Sequence, residues 1–303
     1  MKFVIEEADE NKRLDGFLAE ISENFSRSKI QKLIKLNLVT VNNKSQKPSY
    51  SLKTNDVVEV NAATEEEIKI LPENIQLDII YEDENMLVVN KPSGMLTHPT
   101  TTERTGTLVN ALLNYCKNNL SDINGEFRRG IVHRLDRNTS GLIMVAKNNN
   151  THEFLAEQIK KRSIEKKYLA IVKGIIDKDE FIIDKPISRN PKKPEKMMVS
   201  ENGKPSITKV KVLERFSDAT YLELTLITGR THQIRVHLSD IGHPIYNDTL
   251  YGFGKMKIKT EEQVLQSYKL KFAKPFSDEI IELELKPDEK IERVLKFLKG
   301  VQK

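Results

Sequence analysis

The 303-residue chain contains no tryptophan and a single cysteine, Cys116, so no disulfide can close within it and a reducing, cytoplasmic compartment is expected. No stretch approaches the roughly 20 apolar residues of a membrane span. The opening Met1-Lys2-Phe3-Val4-Ile5-Glu6-Glu7 meets acid before an apolar run can form, which is unlike a secretory signal. No internal repeat is evident. Cysteine pairs are absent, and three of the six histidines, His232, His237 and His243, stand five and six residues apart. That spacing does not put them on one helical face, so no metal site is expected.

What the chain has in quantity is charge. Charged residues make up 31% against 38% hydrophobic, with a formal net charge of +5. A core can form, and the excess of positive charge suits a partner carrying phosphates without proving one. The length predicts about two domains. Residues 1–62 read as a small α/β module. In it Ser26 caps a helix to about Asn37, with Ile30, Leu33 and Ile34 on one face and Lys29, Lys32 and Lys35 on the other. The strand Leu38-Val39-Thr40-Val41, the turn Asn42-Asn43-Lys44 and the strand Val57-Val58-Glu59-Val60 follow. Residues 63–77, with the acidic run Glu65-Glu66-Glu67 and Pro72, read as a linker, and residues 78–303 as a second domain.

In that second domain, strands are expected at Asp78–Tyr81, Met86–Val89, Glu165–Lys173, Tyr221–Ile227, Leu270–Phe272 and Ile280–Leu285. Helical spacing covers Leu108–Lys117, a stretch after a capping box of Asn150 and Glu153, and Arg230–Ser239. Strands outnumber helices and short turns link many of them. The expected class is therefore α+β, with a largely antiparallel mixed sheet flanked by helices and loops. The stretch Ser188–Lys204, with Lys192, Lys193 and two prolines, reads as a flexible basic arm able to grip a nucleic-acid backbone.

The most informative segment is His133-Arg134-Leu135-Asp136-Arg137-Asn138-Thr139-Ser140-Gly141. It sets one carboxylate between two arginines and runs directly into the apolar Leu142-Ile143-Met144-Val145-Ala146, a buried strand by pattern. A charged loop abutting a buried strand is a place where a fold can hold a reactive group rigidly.

This segment lines up in order with Lys167–Gly174, with Thr228-Gly229-Arg230-Thr231-His232-Gln233-Ile234-Arg235-Val236-His237-Leu238, and with Gly242-His243-Pro244-Ile245-Tyr246-Asn247-Asp248. Together with Lys91–Pro99 these stretches closely resemble the RluA/RluD family of RNA pseudouridine synthases, in particular the type that modifies large-subunit (23S) ribosomal RNA. The first module resembles the RNA-binding domain named after a protein of the small ribosomal subunit, whose corresponding helix, here carrying Arg27, Lys29, Lys32 and Lys35, contacts RNA.

The resemblance implies an isomerase that converts uridine in RNA to its C-glycoside. Asp136 would be the catalytic carboxylate, Arg230 its guanidinium partner, and Tyr168 the ring on which the detached uracil stacks. A free aspartate side chain, with a reference pKa near 3.9, is ionised at neutral pH. Attack on a sugar carbon and abstraction of a sugar proton both remain open as its role. Arg134 and Arg137 would hold nearby phosphates or fill the space left by the flipped base. No redox step or group donor is needed, so no cofactor is implied. The expected partner is ribosomal RNA or a pre-ribosomal particle, and nothing demands more than a monomer.

The family often has an acidic residue where Asn138 stands, and usually glycine where Asn247 stands, which Asn can replace in a left-handed turn. Two rival readings differ in what they explain. A non-catalytic RNA-binding ribosome-assembly factor would explain the basic module but not the register of Asp136, Tyr168 and Arg230. A base-releasing glycosidase typically needs a second carboxylate, and no paired acid stands out.

Overall fold

The computed structural model describes residues 1–21, 30–31, 33–34, 37–60, 69–100, 102–117, 119–252, 258, 260 and 262–301. The chain divides into two compact units, Met1–Lys69 and Ile70–Lys303.

In the first unit, β1 (Lys2–Val4), β2 (Val39–Val41), β3 (Lys44–Ser45) and β4 (Val57–Val60) form an antiparallel sheet in the order β1-β4-β2-β3. Helix α1 (Leu14–Ile21) buries Leu14, Phe17 and Leu18, the i, i+3, i+4 stripe that one helical face offers. These side chains pack with Ile30, Ile34, Val39, Val41 and Val58 in one core. Asn42 and Asn43, with φ of 52° and 63°, supply the left-handed turn between β2 and β3. The expected capping serine Ser26 and the expected RNA-contacting residues Arg27, Lys29, Lys32 and Lys35 lie outside the described residues.

The second unit begins within the stretch read as a linker. Ile70 is buried in its core, and the Leu71 carbonyl accepts from Asn110 Nδ2 at 2.8 Å. Strands β5 (Ile79–Glu82), β6 (Met86–Lys91), β7 (Ser140–Ala146), β8 (Glu165–Lys173) and β9 (Glu180–Asp184) come first. A separate two-stranded hairpin of β10 (Ile187–Arg189) and β11 (Met197–Val199) follows. Then come β12 (Ile207–Arg215), β13 (Ala219–Leu226), β14 (Leu265–Ala273) and β15 (Ile280–Glu284).

The main sheet has nine strands in the order β5-β6-β7-β14-β8-β13-β12-β9, with β15 paired to β14. Among the described residues only the short β7–β14 pairing is parallel. This is the expected α+β class with a largely antiparallel sheet.

Helices cover both faces of that sheet. β7 is buried along its whole length, and its alternation explains how. Ile143 and Val145 join a core with Leu108 and Leu112 of α2 (Leu108–Cys116) and Ile234 and Leu238 of α4 (Gln233–Asp240). Leu142 and Met144 point the other way, to Leu155 of α3 (Asn149–Lys161) and Phe272. Helix α5 (Glu289–Val301) packs Ile291, Val294 and Leu298 beside Leu169 and Ile171 of β8.

Two sequence expectations are corrected. Helix α3 is capped by Asn148, whose side chain accepts from Thr151 N, and not by Asn150 with Glu153. Asn148, Asn149 and Asn150 are adjacent and all three can cap, so packing of Leu155 against the sheet sets which one does. The basic arm is an ordered hairpin: Lys192 and Lys193 are exposed at its tip, with their backbone N–H groups held by Asn190 Oδ1 at 2.9 and 3.1 Å.

Candidate active site

Asp136 sits in the loop that enters β7, and that loop is fixed from several sides. Leu135 is buried, and Thr97 Oγ1 donates to its carbonyl at 2.8 Å. The Asp136 carbonyl accepts from Thr139 N at 3.1 Å, closing a turn, and Gln263 Nε2 donates to Thr139 Oγ1 at 2.8 Å. Ser140 Oγ donates to Asp288 Oδ2 at 2.5 Å. Underneath, Lys91 is fully buried, with its Nζ donating to the carbonyls of Pro92, Met95 and Arg137 at 2.7, 2.8 and 3.0 Å. Three carbonyls use all the donors of an ammonium. Burial, with Lys290 nearby, pushes its pKa down to about 7.

Gly141 explains why the loop can approach β14. Its φ is +112°, and a Cβ there would lie 2.0 Å from the Ser267 carbonyl oxygen. His133 opens the loop from below. Its Nε2 accepts from Met144 N at 3.0 Å, and burial beside Lys166 pushes its pKa down to about 3, so the ring is a neutral acceptor.

The guanidinium at Asp136 belongs to Arg235, not Arg230. Arg235 Nη1 donates to Asp136 Oδ2 at 3.0 Å. Its Nε and Nη2 form a two-pronged pair with Asp248, at 2.7 and 2.9 Å. Its guanidinium also lies 5.0 Å from the centre of the Tyr251 ring. Burial would lower the pKa of this arginine, but the two carboxylates win and raise it. Burial likewise opposes ionisation of the Asp248 carboxyl, yet its hydrogen bonds to Arg235 hold it below the ordinary value. His232 Nε2 lies 3.9 Å from Asp136 Oδ2, and its Nδ1 is 2.8 Å from the Tyr251 hydroxyl.

Arg230 is turned outward for a local reason. Gln233 Oε1 accepts from both Thr228 Oγ1 and Arg230 N, at 2.8 and 3.0 Å, and folds the 228–232 loop back on itself. The Arg230 side chain is left exposed, with Nε 3.3 Å from the Pro205 carbonyl. Arg235 stands two residues into α4, where every residue from Gln233 to Leu238 is buried. A signal for it existed in the sequence: an arginine between Ile234 and Val236 in a buried helix needs a carboxylate partner.

Tyr168 completes the pocket. It is 5% exposed, and burial, together with the nearby charge of Asp136, raises its phenol pKa. Asp136, Tyr168, Arg235 and Arg230 all line one cavity of about 500 Å³. Arg134 reaches it as well and is perched on His98: Arg134 Nη1 lies 3.2 Å from His98 Nε2, and His98 Nδ1 3.0 Å from the Pro99 carbonyl. Arg137 points elsewhere, pairing with Glu103 at 2.5 Å. Asn247 takes the left-handed φ of 57° that its position requires. His237 bridges Thr208 Oγ1 and the Lys185 carbonyl, both at 2.9 Å, while His243 faces the Lys173 carbonyl. No cluster of metal-ligating side chains is found among the described residues.

A carboxylate fixed by an arginine, beside a buried tyrosine in a cationic cavity, can act on the sugar of a nucleotide whose base lies against the ring. Comparison with known proteins agrees. The model of RNA pseudouridylate synthases matches residues 85–240, and that of the S4 domain matches residues 12–58. An uncharacterized RNA pseudouridine synthase of Bacillus subtilis is 44% identical over 278 residues, covering 92% of this chain and 91% of that protein. A ribosomal large subunit pseudouridine synthase D of Neisseria meningitidis is 39% identical over 299 residues, covering 95% of this chain and 79% of that protein. The solved structure of human RNA pseudouridylate synthase domain containing 1 superposes with a TM-score of 0.58 at 25% identity, over 75% of this chain and 96% of that one. The chain belongs to the RNA pseudouridine synthase family, and its activity is that of an isomerase.

Proposed function

We propose that this protein isomerises specific uridines of large-subunit (23S) ribosomal RNA, with Asp136 as the catalytic carboxylate. The observation that carries the assignment is the contact of Arg235 with Asp136 in one pocket with Tyr168. Several relatives that match over most of the chain carry the name of large-subunit enzymes.

The target nucleotide swings out of its helix into the pocket, at a cost of about a few kcal/mol of lost stacking. Arg235 aims the Asp136 carboxylate at the ribose, the C1′–N1 bond breaks, and the uracil turns against the Tyr168 ring so that C5 can bond to C1′. The C5 proton then leaves to solvent, and N1 takes up a proton in its place. The Tyr168 phenol, with its raised pKa, stays protonated at neutral pH and offers an apolar face and a hydroxyl donor. Arg134 stands at the pocket to fill the vacated stack or hold a phosphate, and the first unit, with Arg27, Lys29, Lys32 and Lys35, grips the RNA. The protein works as a monomer in the cytoplasm, on ribosomal RNA or a pre-ribosomal particle.

Ribosomal RNA carrying tritium at uracil C5 tests this. Isomerisation releases the tritium to water, while binding alone or base release does not. The wild-type protein should release it and the Asp136→Asn variant should not, with RNA binding retained. Absence of release by the wild type from any large-subunit RNA rejects the function, and unchanged turnover in the variant rejects Asp136.

A further inference from the structure

Two neighbouring lysines on β8 meet opposite environments. Lys167 points away from the pocket and is matched by carboxylates, with Nζ 3.1 Å from Glu223 and 3.8 Å from Glu165. Lys166 faces the pocket, is only 9% exposed, and has no hydrogen-bond acceptor or ion-pair partner among the described residues. Its Nζ would lie 3.7 Å from a Cβ built on Gly229, and its charge is felt by His133. Burial alone acts on its pKa and lowers it. Its stem is buried while the ammonium opens to the pocket, and a cation held there with no protein acceptor is open to an anionic ligand.

The rest of the pocket states what that ligand is. Arg134, Lys160, Arg162, Lys166, Arg230 and Arg235 line it, against the single carboxylate of Asp136. Arg235 is already neutralised by Asp136 and Asp248. Lys160 lies 3.4 Å from Glu157, so what remains is a cationic wall of Arg134, Arg162, Lys166 and Arg230, with its most buried member at Lys166. A uracil is neutral and is served by neutral donors, whereas a phosphodiester carries a full charge to match this wall.

We infer that Lys166 is a phosphate anchor: its ammonium, beside Gly229 and His133, takes a phosphodiester oxygen of the RNA strand at the target nucleotide. The anchor rests on the RNA-isomerase assignment for its substrate. It makes Lys166 a binding residue that draws the flipped nucleotide into the pocket, and it leaves the chemistry to Asp136. Because the cation has no protein partner, folding does not depend on it.

The test compares wild type, Lys166→Met and Lys166→Arg. It reads thermal melting, tritium release from labelled large-subunit RNA, and RNA affinity over a range of salt. Lys166→Met should melt at the same temperature or higher and raise KM about tenfold, with kcat within about threefold. Its plot of log affinity against log salt should be shallower by about 0.7 to 0.9, the loss of one phosphate contact. Lys166→Arg should restore most of the slope. A melting point lowered by several degrees would make the lysine structural. A collapse of kcat with an unchanged salt slope would place it on the base. No change in any readout would remove it from the site. Each of these overturns the anchor. Should the wild type release no tritium, the salt slope still reads the anchor on RNA binding, so the two failures are separable.

Discussion

Replacing Arg235 by lysine is the most searching perturbation of this site. Arg235 makes three charge-assisted bonds to two carboxylates, two to Asp248 and one to Asp136. Each such bond contributes about 1.5–3 kcal/mol. Lysine keeps the positive charge, so the fully buried Asp248 is not stranded, but its point charge cannot span both acids. Leucine would strand Asp248 and cost about 3–5 kcal/mol, which confounds activity with unfolding.

The lysine variant should lose about 2–3 kcal/mol of stability. For a domain of 150–250 residues that lowers Tm by roughly 5–10 °C. Loss of aim at Asp136 should cost a further 2–3 kcal/mol in the transition state, on the order of a hundredfold in kcat. Tritium release at saturating RNA, well below the lowered Tm, measures it. Arg230→Lys is the matched control: it alters one exposed side chain with a 3.3 Å contact to a carbonyl. It should shift stability by less than about 0.5 kcal/mol and lower kcat far less than Arg235→Lys. If Arg230→Lys abolished turnover while Arg235→Lys stayed within threefold of wild type, the pairing argued above would be refuted.

Gly141→Ala should destabilise by about 4 kcal/mol or more and abolish activity, because a Cβ has no room against the Ser267 backbone and φ is +112°; near-normal urea unfolding of that variant would contradict it. Lys91→Met should cost about 3 kcal/mol by removing three hydrogen bonds to half-buried carbonyls, read as a lower urea midpoint. For His133, the folded pKa of about 3 lies below the unfolded value near 6.5, so between those values the unfolded chain binds the proton and the folded chain refuses it. Stability should therefore fall on acidification below about pH 6.5, by on the order of 1 kcal/mol per pH unit. His133→Gln should flatten that limb in urea melts between pH 4.5 and 7, and an unchanged slope would count against it.

Much of this was legible locally. The run Leu142–Ala146 announces a doubly buried strand because side chains alternate faces and both faces are apolar. β8 spans Glu165–Lys173 as its pattern indicates, since β-branched and aromatic residues there fit a pleated surface. The hairpin of β10 and β11 was hidden because its prolines and lysines look like loop, while its strands are three residues each and held by backbone pairing.

The sequence by itself determined the α+β class and the family, and pointed to Asp136 as the candidate acid, because each is written in local patterns. The tertiary structure alone decided which arginine meets that acid. Arg235 and Asp136 are 99 residues apart and meet only when β14 slots between β7 and β8 and α4 docks against the sheet. Arg230 and Arg235 are chemically equal in the sequence. The fold separates them by burying one against two carboxylates and leaving the other, through Gln233, on the exposed rim of the pocket.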